Sequence, residues 1–208
     1  MHTIKPKKIP AIKRVMDIIL SMIILLVFSP LMLIVGVVIL LSQGRPILFF
    51  HERPGKDGQP FRLIKFRSMR NLKDKKGKLL PDGERITRFG NFIRKTSIDE
   101  LPEFCNVLRG EMSLVGPRPL LMKYLERYSA QQYRRHEVLP GITGWAQVNG
   151  RNAISWDEKF KLDIWYIDHW SIWLDIKILF LTIWKVVTGE GISQPGRATM
   201  DEFMGNED

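Results

Sequence analysis

The strongest pattern along the chain is a run of apolar residues from Val15 to Leu41, "VMDIILSMIILLVFSPLMLIVGVVILL", broken by a single charge, Asp17. A straight helix of this length would measure about 40 Å against roughly 30 Å of bilayer hydrocarbon. The middle of the run holds Ser29 and Pro30. Proline removes a backbone donor and crowds the preceding turn, and a serine hydroxyl can serve the carbonyl left free. Beyond the run the pattern changes period. "PILFFHE" and "PFRLIKFRSM" predict two short strands joined by a turn at Gly55, Lys56, Asp57 and Gly58. Residues 71–85 are polar and turn-rich and predict a mobile surface loop. Helices are expected over 99–109, 119–137 and 155–168, the last two flanking a loop, "LPGITGWAQVNGRN". Residues 171–187 place Ile172, Ile176, Leu179, Ile183 and Val187 on one face, interrupted elsewhere by Asp175, Thr182 and Lys185. With Trp165, Trp170, Trp173 and Trp184 nearby, this fits either a helix lying in a membrane interface or a buried core helix.

Charge bears on the topology of the apolar run. Residues 1–14 carry a net +5 and no acid, and residues 42–70 again carry a net +5. The excess of Lys and Arg on cytoplasmic flanks would place both ends of the run on that side, which one straight span cannot do. A re-entrant helix–break–helix, turning at Ser29 and Pro30, satisfies both flanks; a single span kinked at the proline is the alternative. Lys13 and Arg14, one helical turn before Asp17, are positioned to neutralise it. The run is too long for a signal peptide and "SQGRP" offers no cleavage site.

These elements predict an α+β fold, mainly helical. Its parts are a basic N-terminus with a re-entrant membrane helix (1–44), a compact catalytic domain with a short β-hairpin and interfacial amphipathic helices (45–190), and a C-terminal tail (191–208). The net charge of +10 in 208 residues asks for an anionic partner: nucleic acid, anionic lipid or a phosphorylated substrate. Cys105 is the only cysteine, so no intramolecular disulfide can form, and the four histidines are too scattered for a zinc site. No glycine-rich phosphate cradle is present, since Gly141, Gly144 and Gly150 lack the required spacing. Anions would therefore be held by side chains, with Lys65, Arg67, Arg88, Arg94, Arg118 and Arg151 as candidates. Arg118 stands out because Pro117 and Pro119 stiffen the chain on both sides.

The stretch "RKTSIDELPEF" sets two acids, Asp99 and Glu100, side by side in this basic chain. Helix capping accounts for them on its own terms: Ser97 and Glu100 have capping-box spacing, and Asp99 could itself cap a helix whose first turn holds Pro102. A catalytic carboxylate pair is the other reading.

Taken together, "KR..D" before an apolar run with a central Ser-Pro, "FRLIKFRSM", "RKTSIDELPEFCNVLRGEMSLVGPRP" and "PGITGWAQVNGRN" resemble the bacterial sugar transferase family, the monotopic phosphoglycosyl transferases, in their small form. The resemblance runs from about Lys13 to Val187. It implies transfer of a phosphosugar from a nucleotide diphosphosugar, usually a UDP-sugar, to polyprenyl (undecaprenyl) phosphate, with release of UMP and help from Mg²⁺. It implies that Asp99 is the covalent nucleophile, that Glu100 is an acid/base, and that Ser29 and Pro30 break the re-entrant helix. It further implies a metal at Asp99, and substrate contacts from the basic residues above together with Gln147. The location implied is the cytoplasmic face of the bacterial inner membrane, with membrane lipids as partners and no nucleic acid. A carboxylate attacking a diphosphate meets like-charge repulsion, so cations around the electrophile are a physical requirement. The rival expectations are a membrane-tethered anion-binding module without catalysis, and a nucleotide-sugar pyrophosphatase with water as acceptor. The transferred sugar and the oligomeric state are not legible.

Overall fold

The computed structural model describes residues 10–150, 154–188 and 202–205, and only the main chain of Asp82. The apolar run forms α1 (Ala11–Gln43), the one helix among the described residues long and apolar enough to cross a membrane. A hairpin follows, β1 (Leu48–Pro54) paired antiparallel with β2 (Pro60–Phe66) in the register Leu48↔Phe66 to Pro54↔Pro60. Next come α2 (Asp82–Arg85), α3 (Arg88–Lys95), a 3-10 turn at Ile98–Glu100, α4 (Glu103–Arg109) and β3 (Ser113–Val115). The remaining elements are α5 (Ala130–Tyr133), β4 (Gly141–Thr143), α6 (Trp145–Asn149), α7 (Trp156–Asp168) and α8 (Ile172–Thr188).

α1 runs through Ser29 and Pro30 as one helical element, not as two helices separated by a non-helical break. The local chemistry explains the continuity. Pro30 has no N–H to give the carbonyl of Leu26, and the Ser29 hydroxyl donates to that oxygen at 2.8 Å. Both ends of α1 rest on the rest of the protein. Lys13, Asp17 and Ser21, one turn apart, are buried at one end, and Val35, Gly36 and Ile39 at the other. Between them Leu26, Val27, Leu33 and Ile34 are exposed.

The polar residues of the first end are not paired as expected. Lys13 reaches Asp175 of α8 at 2.5 Å and donates to the carbonyl of Val115 at 3.1 Å. Asp17 accepts from the main-chain N–H of Leu114, and Arg14 donates to the carbonyls of Val107 and Leu108 at the end of α4. Tyr166 and Trp170 complete the ring around Asp175, donating to its carboxylate at 2.7 and 3.1 Å. α8 is likewise inverted. Its polar residues Asp175 and Thr182 face the protein, Thr182 bonding to Thr143, while Trp173 (75% exposed), Phe180, Ile183, Trp184 and Val187 face outward. Apolar surface turned out, with Asp175 turned in, is the reverse of a helix on a water-facing core, although Lys177 of α8 stays exposed.

The main core lies between these helices and the hairpin, with Phe61, Leu63, Val107, Met112, Leu114, Ile164, Tyr166 and Ile178 buried. A second cluster joins the far end of α1 (Val35, Ile39) to Phe66 of β2 and Ile93 of α3.

Three expectations need correction. The helix over 119–137 is instead a 3-10 segment (Met122–Arg127), then α5, then a 3-10 turn (Arg134–His136). Tyr128 is extended, and Ser129 starts a new helix with a full capping box to Gln132, so the pattern restarts where the sequence shows a continuous period. The loop at 139–150 contains β4 and α6, because β4 pairs in parallel with β3 (Ser113↔Gly141, Val115↔Thr143). The segment 71–85 is exposed but structured: it folds back on a bridge between Lys73 and Leu79, with the Asp74 carboxylate accepting from the N–H groups of Lys76 and Lys78.

Candidate active site

The site forms where β2, the 3-10 turn, α4 and the Gly116–Pro119 loop converge. Lys65 extends from β2. Asn106, fully buried on α4, donates to the carbonyl of Arg62 at 2.7 Å and accepts from the N–H of Ile64 at 3.1 Å, using main-chain groups of β2 to fix α4 beside the strand. Glu103, two positions into the 102–110 segment, thereby lies 3.0 Å from the Lys65 ammonium. The chain turns into Asp99 through Ser97, left-handed at φ 56°, ψ 17°, an uncommon conformation for a residue with a side chain. Ser97 makes no side-chain capping bond, so the capping-box reading fails here. The boxes form instead at Ser129 and Ser155.

Three glycines bring Arg118 to this place. A Cβ on Gly141 would stand 2.1 Å from the nitrogen of Gly116, and one on Gly144 would stand 2.2 Å from the Gly116 oxygen. The "VGPRP" and "PGITG" segments therefore touch backbone to backbone, which only glycine permits. Arg118 then reaches Glu100, whose Oε1 is shared by the Arg118 guanidinium and by Lys65 at 2.7 Å.

This geometry sets the three carboxyls in different states. Burial and the neighbouring Glu100 charge push Asp99 up to about 6, with Lys65, Arg118 and Arg94 pulling the other way. Burial also pushes on Glu100, but Arg118 and Lys65 outweigh it and hold that carboxyl well below the ordinary range. Glu103 is pushed up to about 7, by burial first and by the Glu100 charge, with Lys65 and Arg118 pulling the other way. Lys65 is held above its usual value: burial works against its charge, and Glu100 and Glu103 overcome it. Carboxyls with such divergent affinities for a proton, clustered with cations, are a recurrent mark of catalytic sites.

Of the residues proposed from sequence, the structure brings together Asp99, Glu100, Lys65, Arg94 and Arg118. Arg67 lies elsewhere, its guanidinium given to the carbonyls of Gln43, Gly44 and Arg45 at the end of α1. That is a helix C-terminus, where a cation is favoured. Arg88 lines a surface cleft of about 360 Å³ with Ser42, Arg70 and Thr87. Gln147, on α6, has both amide atoms buried and unpartnered among the described residues. Arg151 lies outside the described residues.

Two members of the site were missed. Glu103 follows the acid pair by one helical turn, a spacing visible in "DELPE". Arg53 was counted only as flank charge, yet it makes no ion pair among the described residues, and burial together with Arg118 pulls its guanidinium down to about 10. The hairpin register reveals it: Arg53 opposes Phe61, and side chains alternate, so Arg53 and Lys65 share one face. Arg53 and Arg118 thus present cationic charge beside the carboxylates, which suits an anionic substrate.

Comparison with known proteins identifies the family. A family model described as bacterial sugar transferase matches residues 8–189. A Bacillus subtilis (strain 168) protein, the uncharacterized sugar transferase EpsL, is 54% identical over 95% of this chain and 98% of its own length. The Escherichia coli (strain K12) UDP-glucose:undecaprenyl-phosphate glucose-1-phosphate transferase is 43% identical over 84% of this chain and 40% of its own length. An Aeromonas hydrophila UDP-N-acetylgalactosamine-undecaprenyl-phosphate N-acetylgalactosaminephosphotransferase is 45% identical over 86% of this chain and 44% of its own length. The chain therefore spans less than half the length of these last two relatives. The match covers the membrane helix, the carboxylate cluster and the glycine-apposed arginine loop alike, and on that extent the chain belongs to the bacterial sugar transferase family of enzymes.

Proposed function

We propose that this enzyme transfers a phosphosugar from a UDP-sugar to undecaprenyl phosphate at the cytoplasmic face of the bacterial inner membrane, through a covalent intermediate on Asp99. The observation that carries this is the adjacent pair in opposite states, Asp99 raised to about 6 and Glu100 held low by two cations. An aspartate near 6 is mostly ionised at neutral pH, yet buried and poorly hydrated, so it is available as a nucleophile. Its oxygen attacks the sugar-bearing phosphorus, the bridging P–O bond of the diphosphate breaks, and the electron pair leaves on UMP. An oxygen of undecaprenyl phosphate then attacks the same phosphorus, the acyl-phosphate bond breaks, and Asp99 returns as a carboxylate. The names of the relatives supply the donor and acceptor classes.

Lys65, Arg53 and Arg118 offset the charge that builds up when a carboxylate meets a diphosphate. In the resting site Arg118 is bound to Glu100. Incoming phosphates compete for that guanidinium, and a Glu100 relieved of it regains basicity to take the proton of a monoanionic lipid phosphate. The described residues hold no group of three or more His, Cys, Asp or Glu placed around a metal. Mg²⁺ commonly binds through one or two carboxylates and substrate phosphates, so Asp99 would hold such an ion together with the substrate. When bound, Mg²⁺ would supply charge neutralisation at the diphosphate.

The inverted helices support the membrane disposition. The exposed middle of α1 and the outer face of α8 belong in lipid, and both ends of α1 pack on one domain. That packing supports a re-entrant course with both flanks on the cytoplasmic side, a bend at Ser29 and Pro30 returning the helix to the leaflet it entered.

The test uses full-length enzyme in nanodiscs with a panel of UDP-sugars and no lipid phosphate. About one UMP should appear per enzyme, with the phosphosugar mass on the peptide containing Asp99, and undecaprenyl phosphate should discharge it. UMP release only when both substrates are present, with no adduct, would refute the covalent route.

A further inference from the structure

Residues 202–205 return to the domain, and no role follows for them from the reaction. Phe203 is 3% exposed, inside a cage of four rings: Tyr124 at 5.7 Å, Tyr128 at 5.8 Å, Trp156 at 5.6 Å and Phe160 at 5.0 Å between centroids. Its N–H donates to the Tyr124 hydroxyl at 3.3 Å, and its carbonyl accepts from Arg127. Glu202 lies between Lys123 at 2.6 Å and Arg127 at 2.8 Å. Those two pairs are open to water and contribute little singly, so the ring is the anchor.

The far wall of the cage belongs to the active site. The Arg135 guanidinium sits over the rings of Tyr128 at 5.8 Å and Phe160 at 5.7 Å, and donates to the Tyr128 hydroxyl at 3.2 Å. It forms a fully buried pair with Asp163 at 2.8 Å and donates from Nη2 to the main-chain oxygen of Arg118, also at 2.8 Å. Arg118 holds Glu100. Packed contacts thus run without interruption from Phe203 to Tyr128 and Phe160, to Arg135, to the backbone of Arg118.

We infer that Phe203 is a positioning residue of the active site: by filling the cage it fixes Tyr128 and Phe160 against Arg135, and so fixes the backbone from which Arg118 reaches the phosphates of the nucleotide sugar. The inference rests on the proposed role of Arg118. A ring removed from a close-packed cage leaves space into which Tyr128 and Phe160 move. Arg135 keeps Asp163, because that buried ion pair is costly to part, and the change falls on the Arg118 carbonyl. Phe203 touches no substrate in this arrangement. Its effect is on the placement of a binding group.

The experiment compares full-length wild type, Phe203→Ala, Phe203→Tyr, Arg118→Lys and the Phe203→Ala/Arg118→Lys double variant in nanodiscs. Phe203→Ala should raise KM for the nucleotide sugar about 3- to 30-fold with a small change in kcat, and Phe203→Tyr should restore most of the loss. In the Arg118→Lys background the alanine change should add almost nothing, because the shared route is already broken. Hydrogen exchange across residues 113–121, read without substrate, should be faster in Phe203→Ala than in Phe203→Tyr. An unchanged KM, effects that multiply in the double variant, or unchanged exchange in 113–121 would each overturn the inference. Wild-type protein that releases no UMP would instead refute the proposed reaction, and the exchange comparison would still decide whether the tail is coupled to the Arg118 loop.

Discussion

Asp99→Asn should abolish turnover and, at the same time, stabilise the protein. Asp99 is 8% exposed and its carboxyl is raised from 3.8 to about 6, by burial first and by Glu100 second. At 1.36 kcal/mol per pH unit, ionising it in the folded protein at neutral pH costs on the order of 3 kcal/mol relative to the unfolded chain. The sign follows from proton counting. Between pH 3.8 and about 6 the folded state holds this proton and the unfolded state does not, so this group's contribution falls as pH rises through the window, and the full penalty remains above it. Asparagine keeps the shape and carries no charge, so the penalty disappears. A gain of this size corresponds to a rise of about 6–12 °C in Tm for a chain of this length. Thermal unfolding in nanodiscs at pH 7.5 and at pH 4.5 would read it, the variant showing the full gain at the higher pH and about a third of it at the lower. The opposite slope of Glu100, whose contribution is lost as pH falls, is common to both proteins and largely cancels in the comparison. The same titration places the acid limb of wild-type turnover near pH 6 with a slope of one proton. No stabilisation at pH 7.5, or a gain that does not shrink towards pH 4.5, would refute the assignment of Asp99 as a buried carboxylate carrying a cost for its function.

Arg118→Lys should be nearly as impaired in kcat/KM as Arg118→Ala, since a point charge cannot reproduce a fork that spans Glu100 and phosphate; near wild-type turnover would show that charge alone suffices. Lys13→Met should cost about 3–5 kcal/mol by leaving Asp175 buried without its cation, and Lys13→Met/Asp175→Leu should recover most of it, as denaturant titration would report. Single cysteines near Lys8 and near Gln43, with Cys105 replaced, should both react with an impermeant reagent only from the cytoplasmic side. Labelling of either from the periplasm would exclude the re-entrant course.

The long apolar helix, the hairpin and the helix over 155–168 were legible in the sequence, because each rests on local signals, the first on a nearly unbroken apolar run and the second on a Gly-Lys-Asp-Gly turn between alternating strands. The break expected at Ser29 and Pro30 is not present in the continuous α1. The Asp99–Glu100 pair was legible as chemistry for a related reason, two acids being anomalous in a basic chain. Tertiary structure decided which charges meet. Arg67 and Arg53 look alike in sequence, yet Arg67 lies just past the last paired residue of β2, where the carbonyls of Gln43, Gly44 and Arg45 take its guanidinium, whereas the hairpin register keeps Arg53 on the face of Lys65, beside the carboxylates. The three-residue strands β3 and β4 are too short to carry a period, and they exist only because Gly116, Gly141 and Gly144 let two distant segments approach. Asp17 and Asp175 read as blemishes on apolar helices; in the fold they face inward, where Leu114, Lys13, Tyr166 and Trp170 supply their partners. Periodicity along a chain reports which residues share a face. Whether that face meets lipid or protein depends on partners far away in sequence, and in both helices of this enzyme those partners turned the polar side in.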